Sequence, residues 1–173
     1  MSSKRGWPGV IAHEGRIYAF GGTNAESGQL STAEVYISEE DRWEDIPSMS
    51  VERVDPSVVE LEGKIYVMGD ISIDDFAYKI VDCYDPGRKM WKRVADLQCE
   101  SDNDNIAAVN WKGELHVFTQ VQVDEDGYVW LTFLEKYDPK ENQWIKMTSP
   151  AISAYIKDMY VMKKKYLPKP IPK

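Results

Sequence analysis

The sequence predicts an all-β chain made of repeated four-stranded antiparallel units. Three observations predict it. An eight-residue pattern recurs three times, a Tyr precedes a Trp by a fixed interval in each copy, and no stretch shows a helical apolar period. The recurring segments are GRIYAFGG at 15–22, GKIYVMGD at 63–70 and GELHVFTQ at 113–120, spaced by 48 and then 50 residues. Tyr36 precedes Trp43, Tyr84 precedes Trp91 and Tyr137 precedes Trp144, each time by 7 residues. Met49, Arg53 and Pro56 lie 48 residues after Met1, Arg5 and Pro8, so the chain starts at the same phase as its own second repeat.

Each unit resolves into strands bounded by turn residues. In the first, strands are expected at 9–12 and 16–20 around His13, Glu14 and Gly15, then at 33–37 and 42–45. In the second they fall at 57–61, 64–68, 80–85 and 90–94. In the third they fall at 106–110, 114–119, 131–137 and 143–146. Their β-branched and aromatic residues favour strands, and Gly, Pro, Asp and Asn punctuate them. Asp85-Pro86-Gly87 and Asp138-Pro139-Lys140 supply the last turn of units two and three, because Pro presets φ and Asp bonds the backbone ahead of it. Ile37-Ser38 stands there in unit one.

The inner strands are almost continuously apolar, as in Val58-Val59 and 65–68. A sheet with one wet face alternates more cleanly, so both faces of these sheets are expected to be covered. Four-stranded units with a period near 50, stacked face to face about an axis, make a β-propeller.

With these residues in view, the sequence resembles the kelch-repeat family, and more narrowly the propellers of kelch-like (BTB-kelch) adaptor proteins. The resemblance spans 1–162: repeats at about 1–48, 49–97 and 98–150, and a half repeat at 151–162, where MYVM (159–162) aligns with IYVM (65–68). Residues 163–173 read as a basic, Pro-rich extended tail. Three blades and a half make an incomplete ring, since propellers generally close with four to eight. Open blade edges and faces would favour self-association. The family's double Gly is intact only at Gly21-Gly22. The third copy has Thr119-Gln120, which implies a modified turn, and its following loop is three residues longer.

Composition excludes several functions. The chain has 173 residues with 29 acidic and 21 basic side chains, a formal charge of −8, and five Lys within 163–173. An acidic body does not offer the clustered Lys and Arg that nucleic acid needs. No apolar run is long enough to span a bilayer, and the basic start lacks the apolar core of a signal peptide. Two Cys, Cys83 and Cys99, are too few for a disulfide scaffold and lack metal-ligand spacing. A cytoplasmic setting is the expectation.

No catalytic residues, metal ligands or cofactor are expected. His13 sits at a hairpin end, and His116 replaces a Tyr of the other repeats; no third ligand has matching spacing. The acidic runs at 102–105 and 124–127 read as solvated loop tips, because Val129 rather than Gly stands sixth from Asp124. The three repeated Trp read as one buried structural anchor per blade.

Binding is therefore assigned to loops, where a rigid scaffold usually carries function. These are 2–8, 50–56 and 98–105 between blades, and 23–32, 70–79 and 120–130 within them. In kelch-like adaptors an Arg four residues after a Met holds acidic peptides in some members, so the resemblance implies partner binding by Arg5 and Arg53; the alternative is that both brace their loops. Arg suits binding through its bidentate fork. Asn103 stands near that place in the third repeat. Trp7, Phe76, Tyr78, Tyr128 and Trp130 are candidate aromatic anchors, with Asp102 and Asp104 beside them. The resemblance implies a non-enzymatic protein-interaction module, capturing substrates for a cullin-RING ubiquitin ligase. Actin or cytoskeletal binding is the alternative, and a sugar-binding or enzymatic propeller the more distant one.

Overall fold

The computed structural model describes residues 1, 4–69, 79–98, 106–122 and 130–147, and only the backbone of 120–122, 130 and 131. Within these residues the chain is all-β and forms three four-stranded antiparallel blades. Blade 1 contains β1 (Gly9–His13) and β2 (Arg16–Phe20), followed by a two-residue hairpin of β3 (Thr23–Asn24) and β4 (Gly28–Gln29). It is completed by β5 (Ala33–Ile37) and β6 (Arg42–Ile46), in the order β1-β2-β5-β6. Blade 2 is β7 (Ser57–Leu61), β8 (Lys64–Met68), β9 (Val81–Asp85) and β10 (Met90–Arg93). Blade 3 is β11 (Ile106–Trp111), β12 (Glu114–Gln122), β13 (Trp130–Asp138) and β14 (Gln143–Lys146).

The interval of seven between Tyr and Trp has a register explanation. Tyr36 pairs with Trp43 across β5 and β6, Tyr84 with Trp91, and Tyr137 with Trp144. Directly opposed residues stack on one face, and the ring centroids lie 5.4, 4.9 and 4.9 Å apart. Such aromatic pairs stabilise a hairpin beyond the area they bury.

The blades pack face to face through two apolar clusters. Tyr18, Phe20, Ala33, Val35 and Met49 of blade 1 meet Ile65, Val67 and Tyr84 of blade 2. Tyr66, Met68, Val81, Cys83 and Leu97 of blade 2 meet Leu115, Val117, Tyr137 and Trp144 of blade 3. Blade 2 is thus covered on both faces, and four of the five residues of β8 are buried. This is the physical reason that β8 lacks clean alternation. At the inner edge the blades approach closely. A Cβ added to Gly9 would lie 2.5 Å from Val58 Cγ2 and 2.9 Å from the Pro56 carbonyl oxygen.

The glycine pair of the first repeat also has a steric cause. Gly21 and Gly22 adopt φ of 62° and 94°. A Cβ on Gly21 would strike the Arg53 carbonyl oxygen. The pair therefore ends β2 where the chain turns against the loop entering blade 2.

Three expectations need correction. Blade 3 has no sharp turn after Thr119: β12 continues to Gln122 and β13 begins at Trp130, with Gln122 opposite Trp130. Without the positive-φ glycines the ladder simply runs on. Trp130 accordingly stands in a strand rather than a loop. The repeated Trp are also not uniformly buried: Trp144 is 2% exposed, while Trp43 and Trp91 are half-buried. Several strands extend by a residue or more, as at His13, Ile46 and Trp111, and two are shorter, β9 starting at Val81 and β10 ending at Arg93. The half repeat and the tail lie outside the described residues. Among the described residues no helix is long and apolar enough to cross a membrane.

Candidate functional site

The loops that enter blades 1 and 2 gather with the β3–β4 hairpin on one rim. Gly6 and Thr23 exchange two backbone hydrogen bonds of 2.8 Å. The Gly22 amide donates to the Arg53 carbonyl at 2.8 Å, and the Asp55 amide donates to the Trp7 carbonyl at 2.7 Å. The segments around Gly6, Thr23 and Asp55, distant in sequence, thus share one hydrogen-bonded surface.

Arg5 and Arg53 define the underside of this rim. Arg5 Nη1 donates to the carbonyls of Gly21 and Thr32, both at 2.9 Å, and Nη2 to Glu34 Oε1 at 2.7 Å. Arg53 repeats the arrangement one period later. It donates to the carbonyls of Gly69 and Ile80 at 2.9 and 2.8 Å, and to Asp82 Oδ2 at 3.1 Å. Both guanidinium side chains are 0% exposed and both acids 1% exposed. Burial pulls the Arg53 guanidinium below its ordinary value, against the opposing pull of Asp82.

These contacts correct the assignment of Arg5 and Arg53 to partner binding. Each fork is spent on carbonyls at the ends of the second and third strands of its own blade and on an acid of the third. The side chain braces the blade and offers no donor to solvent. The missed signal was in the sequence: Glu34 and Asp82 are also 48 apart, two residues before the repeated Tyr. In blade 3 the acid persists as Glu135, 1% exposed, which accepts the Gln98 amide at 2.8 Å.

Trp7 is the candidate anchor that the structure places on the surface. Its residue is 70% exposed, and its φ is 52°. A bulky residue in the left-handed region is a genuine outlier. Asp55, one period later, has φ 51°, so the loop geometry belongs to the repeat and the Trp is the exception within it. The bonds of Gly6 to Thr23 and of Asp55 to Trp7 hold the backbone on both sides of the indole. Ionisable residues exposed on the same loops are Lys4, Glu26, Glu52 and Asp55, an acidic balance. Phe76, Tyr78, Asp102, Asp104 and Tyr128 lie outside the described residues, and Trp130 is described by its backbone alone.

Other reactive groups are packed away. His116 is 6% exposed with its ring 5.9 Å from that of Trp111. Cys83 is free and buried, and burial pushes its thiol up. Among the described residues no group of three or more His, Cys, Asp or Glu could hold a metal ion.

Comparison with known proteins adds one positive finding. A family model described as Kelch motif matches residues 8–50, which contain all four strands of the blade 1 sheet. Blades 2 and 3 repeat that strand order and its Tyr–Trp pair. No curated protein matches the chain.

Proposed function

We propose that the chain is a protein-interaction module that binds its partner on the rim around Trp7. The observation that carries this reading is a 70% exposed indole on a backbone held at φ 52°. Asp55 holds the same backbone geometry without an aromatic ring, so the fold does not require an exposed indole at this position. Trp is favoured at binding hot spots because it contributes a large contact area at low entropic cost. The Kelch motif match over residues 8–50 supports the same class. The acidic side chains around Trp7 select a partner that presents a basic, apolar segment. Resemblance to kelch-like adaptors names the context as substrate capture for a cullin-RING ubiquitin ligase. Actin binding is the competing context.

Trp7→Gly tests the rim directly. Glycine tolerates φ 52°, so the variant is expected to melt no lower than the parent, with a gain of at most about 1 kcal/mol. Proximity labelling in cells should lose the partner set of the parent chain. An unchanged partner set would overturn the rim. Partners that accumulate when cullin neddylation is blocked favour the ligase context, whereas cosedimentation of the purified chain with filamentous actin favours the other.

A further inference from the structure

The turn that closes each outer hairpin keeps one backbone and changes its charge from blade to blade. Asp41, Lys89 and Asn142 stand at the same position after the repeated Tyr, with φ of 48°, 53° and 50°. Asp and Asn suit this left-handed position because a short polar side chain bonds locally there. In blades 1 and 3 it bonds the repeated Tyr. The Tyr36 hydroxyl donates to Asp41 Oδ1 at 2.6 Å, and the Tyr137 hydroxyl to Asn142 Oδ1 at 2.8 Å. Lys89 is a poorer choice for that backbone, and its ammonium offers Tyr84 no acceptor. Blade 2 thus gives up a bond that its neighbours keep. Packing does not explain the Lys, because the residue is exposed.

The exchange belongs to a wider pattern. Arg88, Lys89 and Lys92 of blade 2 stand where blade 1 has Glu40, Asp41 and Glu44, so a base replaces every acid. The two turns also differ in how their charge is compensated. In blade 1, Arg42 pairs with both Glu40 and Glu44. In blade 2 its place is taken by Met90, which is 63% exposed. Among the described residues no ion pair joins Lys89 or Lys92. The Arg88 side chain is 81% exposed and has Asp85 at 3.8 Å. Asp85 also spends its other oxygen on the Arg88 amide at 3.0 Å. Arg93 is not part of the patch, since Asp96 neutralises it at 2.8 Å.

Charges on an edge strand also keep foreign strands from pairing. β6 meets that need with both signs, Arg42 beside Glu44 and Asp45, so protecting an edge does not require one sign. The patch is also separate from the rim. β9 starts beside Ile80, where Arg53 holds the carbonyl, and ends at this turn, at the opposite end of blade 2.

We propose that Arg88, Lys89, Met90 and Lys92 form a second docking surface, which takes an acidic protein segment carrying apolar side chains. On a chain of net charge −8, these cations set a local field opposite in sign to the rest. Such a field orients an acidic segment and turns away a basic one. Met90 adds a flexible apolar contact among them. Nucleic acid fits less well, because its phosphates would also meet the Glu and Asp of the blade 1 turn.

Fluorescence anisotropy of the purified full chain tests this with labelled probes: a short peptide of Glu interrupted by Leu, a peptide of Glu alone, and single-stranded DNA. The Glu–Leu peptide should bind, and more weakly as salt rises from about 50 to about 200 mM. Lys89→Asn restores the acceptor for Tyr84, so that variant should melt no lower than the parent. Combined with Arg88→Gln and Lys92→Gln, it should bind the Glu–Leu peptide about ten-fold more weakly. Met90→Ser should weaken the Glu–Leu peptide by a few-fold and leave the Glu peptide unaffected. No binding at low salt, binding unchanged in the triple variant, or tighter binding of DNA than of the Glu–Leu peptide would each overturn the proposal.

Discussion

Blades 1 and 2 are alike inside and different outside. Within each blade, an Arg reaches two carbonyls and a buried acid, with Arg5 to Glu34 at 2.7 Å and Arg53 to Asp82 at 3.1 Å. Within each, a Tyr lies opposite a Trp. Between blades the two diverge. Blade 2 has a neighbour on both faces and buries Ile65 completely; its counterpart Ile17 in blade 1 is 40% exposed. The repeat encodes the blade, and the neighbour decides how much of that encoded apolar surface becomes stability.

The largest effect should come from breaking the inside. Arg53→Ala leaves Asp82 buried without its cation, and Arg5→Ala does the same to Glu34. Each should cost about 3–5 kcal/mol in urea denaturation, and the two should agree closely because the brace needs no neighbouring blade. A small cost for either would mean that water reaches the acid it leaves.

Truncating the repeated Trp sharpens the outside half of the contrast. Trp144→Ala should cost about 3–5 kcal/mol, because a buried ring and its bond to Ala95 are both lost. Trp43→Ala should cost about 1 kcal/mol. Equal costs would show that the indoles act within their own hairpins and that the neighbour adds nothing.

A weaker effect should appear in alkali. Burial pushes the Tyr66, Tyr84 and Tyr137 phenols up, the last two to about 12. The folded chain therefore keeps protons that the unfolded chain releases near pH 10. Stability is fully present below about pH 10 and falls as pH rises toward about 12. Thermal melts across that window should show the decline, and Tyr84→Phe together with Tyr137→Phe should make it shallower, with the buried Tyr66 supplying the remainder. An unchanged slope in the double variant would place the alkaline sensitivity elsewhere.

Much of the fold was legible because its signals are local. Strand periodicity, turn residues and the Tyr–Trp interval all act within one hairpin. The candidate site was less legible. The resemblance assigned Arg5 and Arg53 to carboxylate binding, with bracing of their loops as the alternative, and an Arg in a loop carries no mark of burial to decide between them. Their acid partners lie 29 residues ahead in each case, and only the sheet brings them together. Trp130 looked like a loop residue because the longer spacing of the third repeat reads equally as a longer loop or as longer strands.

The sequence by itself determined the unit: four strands, their turns, the pairing of each Tyr with its Trp, and an apolar stripe on both sides. These depend on contacts within a few residues or within one repeat. The tertiary structure alone decided which stripe is covered, which indole is buried, and that two charged forks point inward while one Trp stands in solvent. Burial is a property of what lies on the far side of a face, and a chain's local pattern is the same whether that space holds another blade or water.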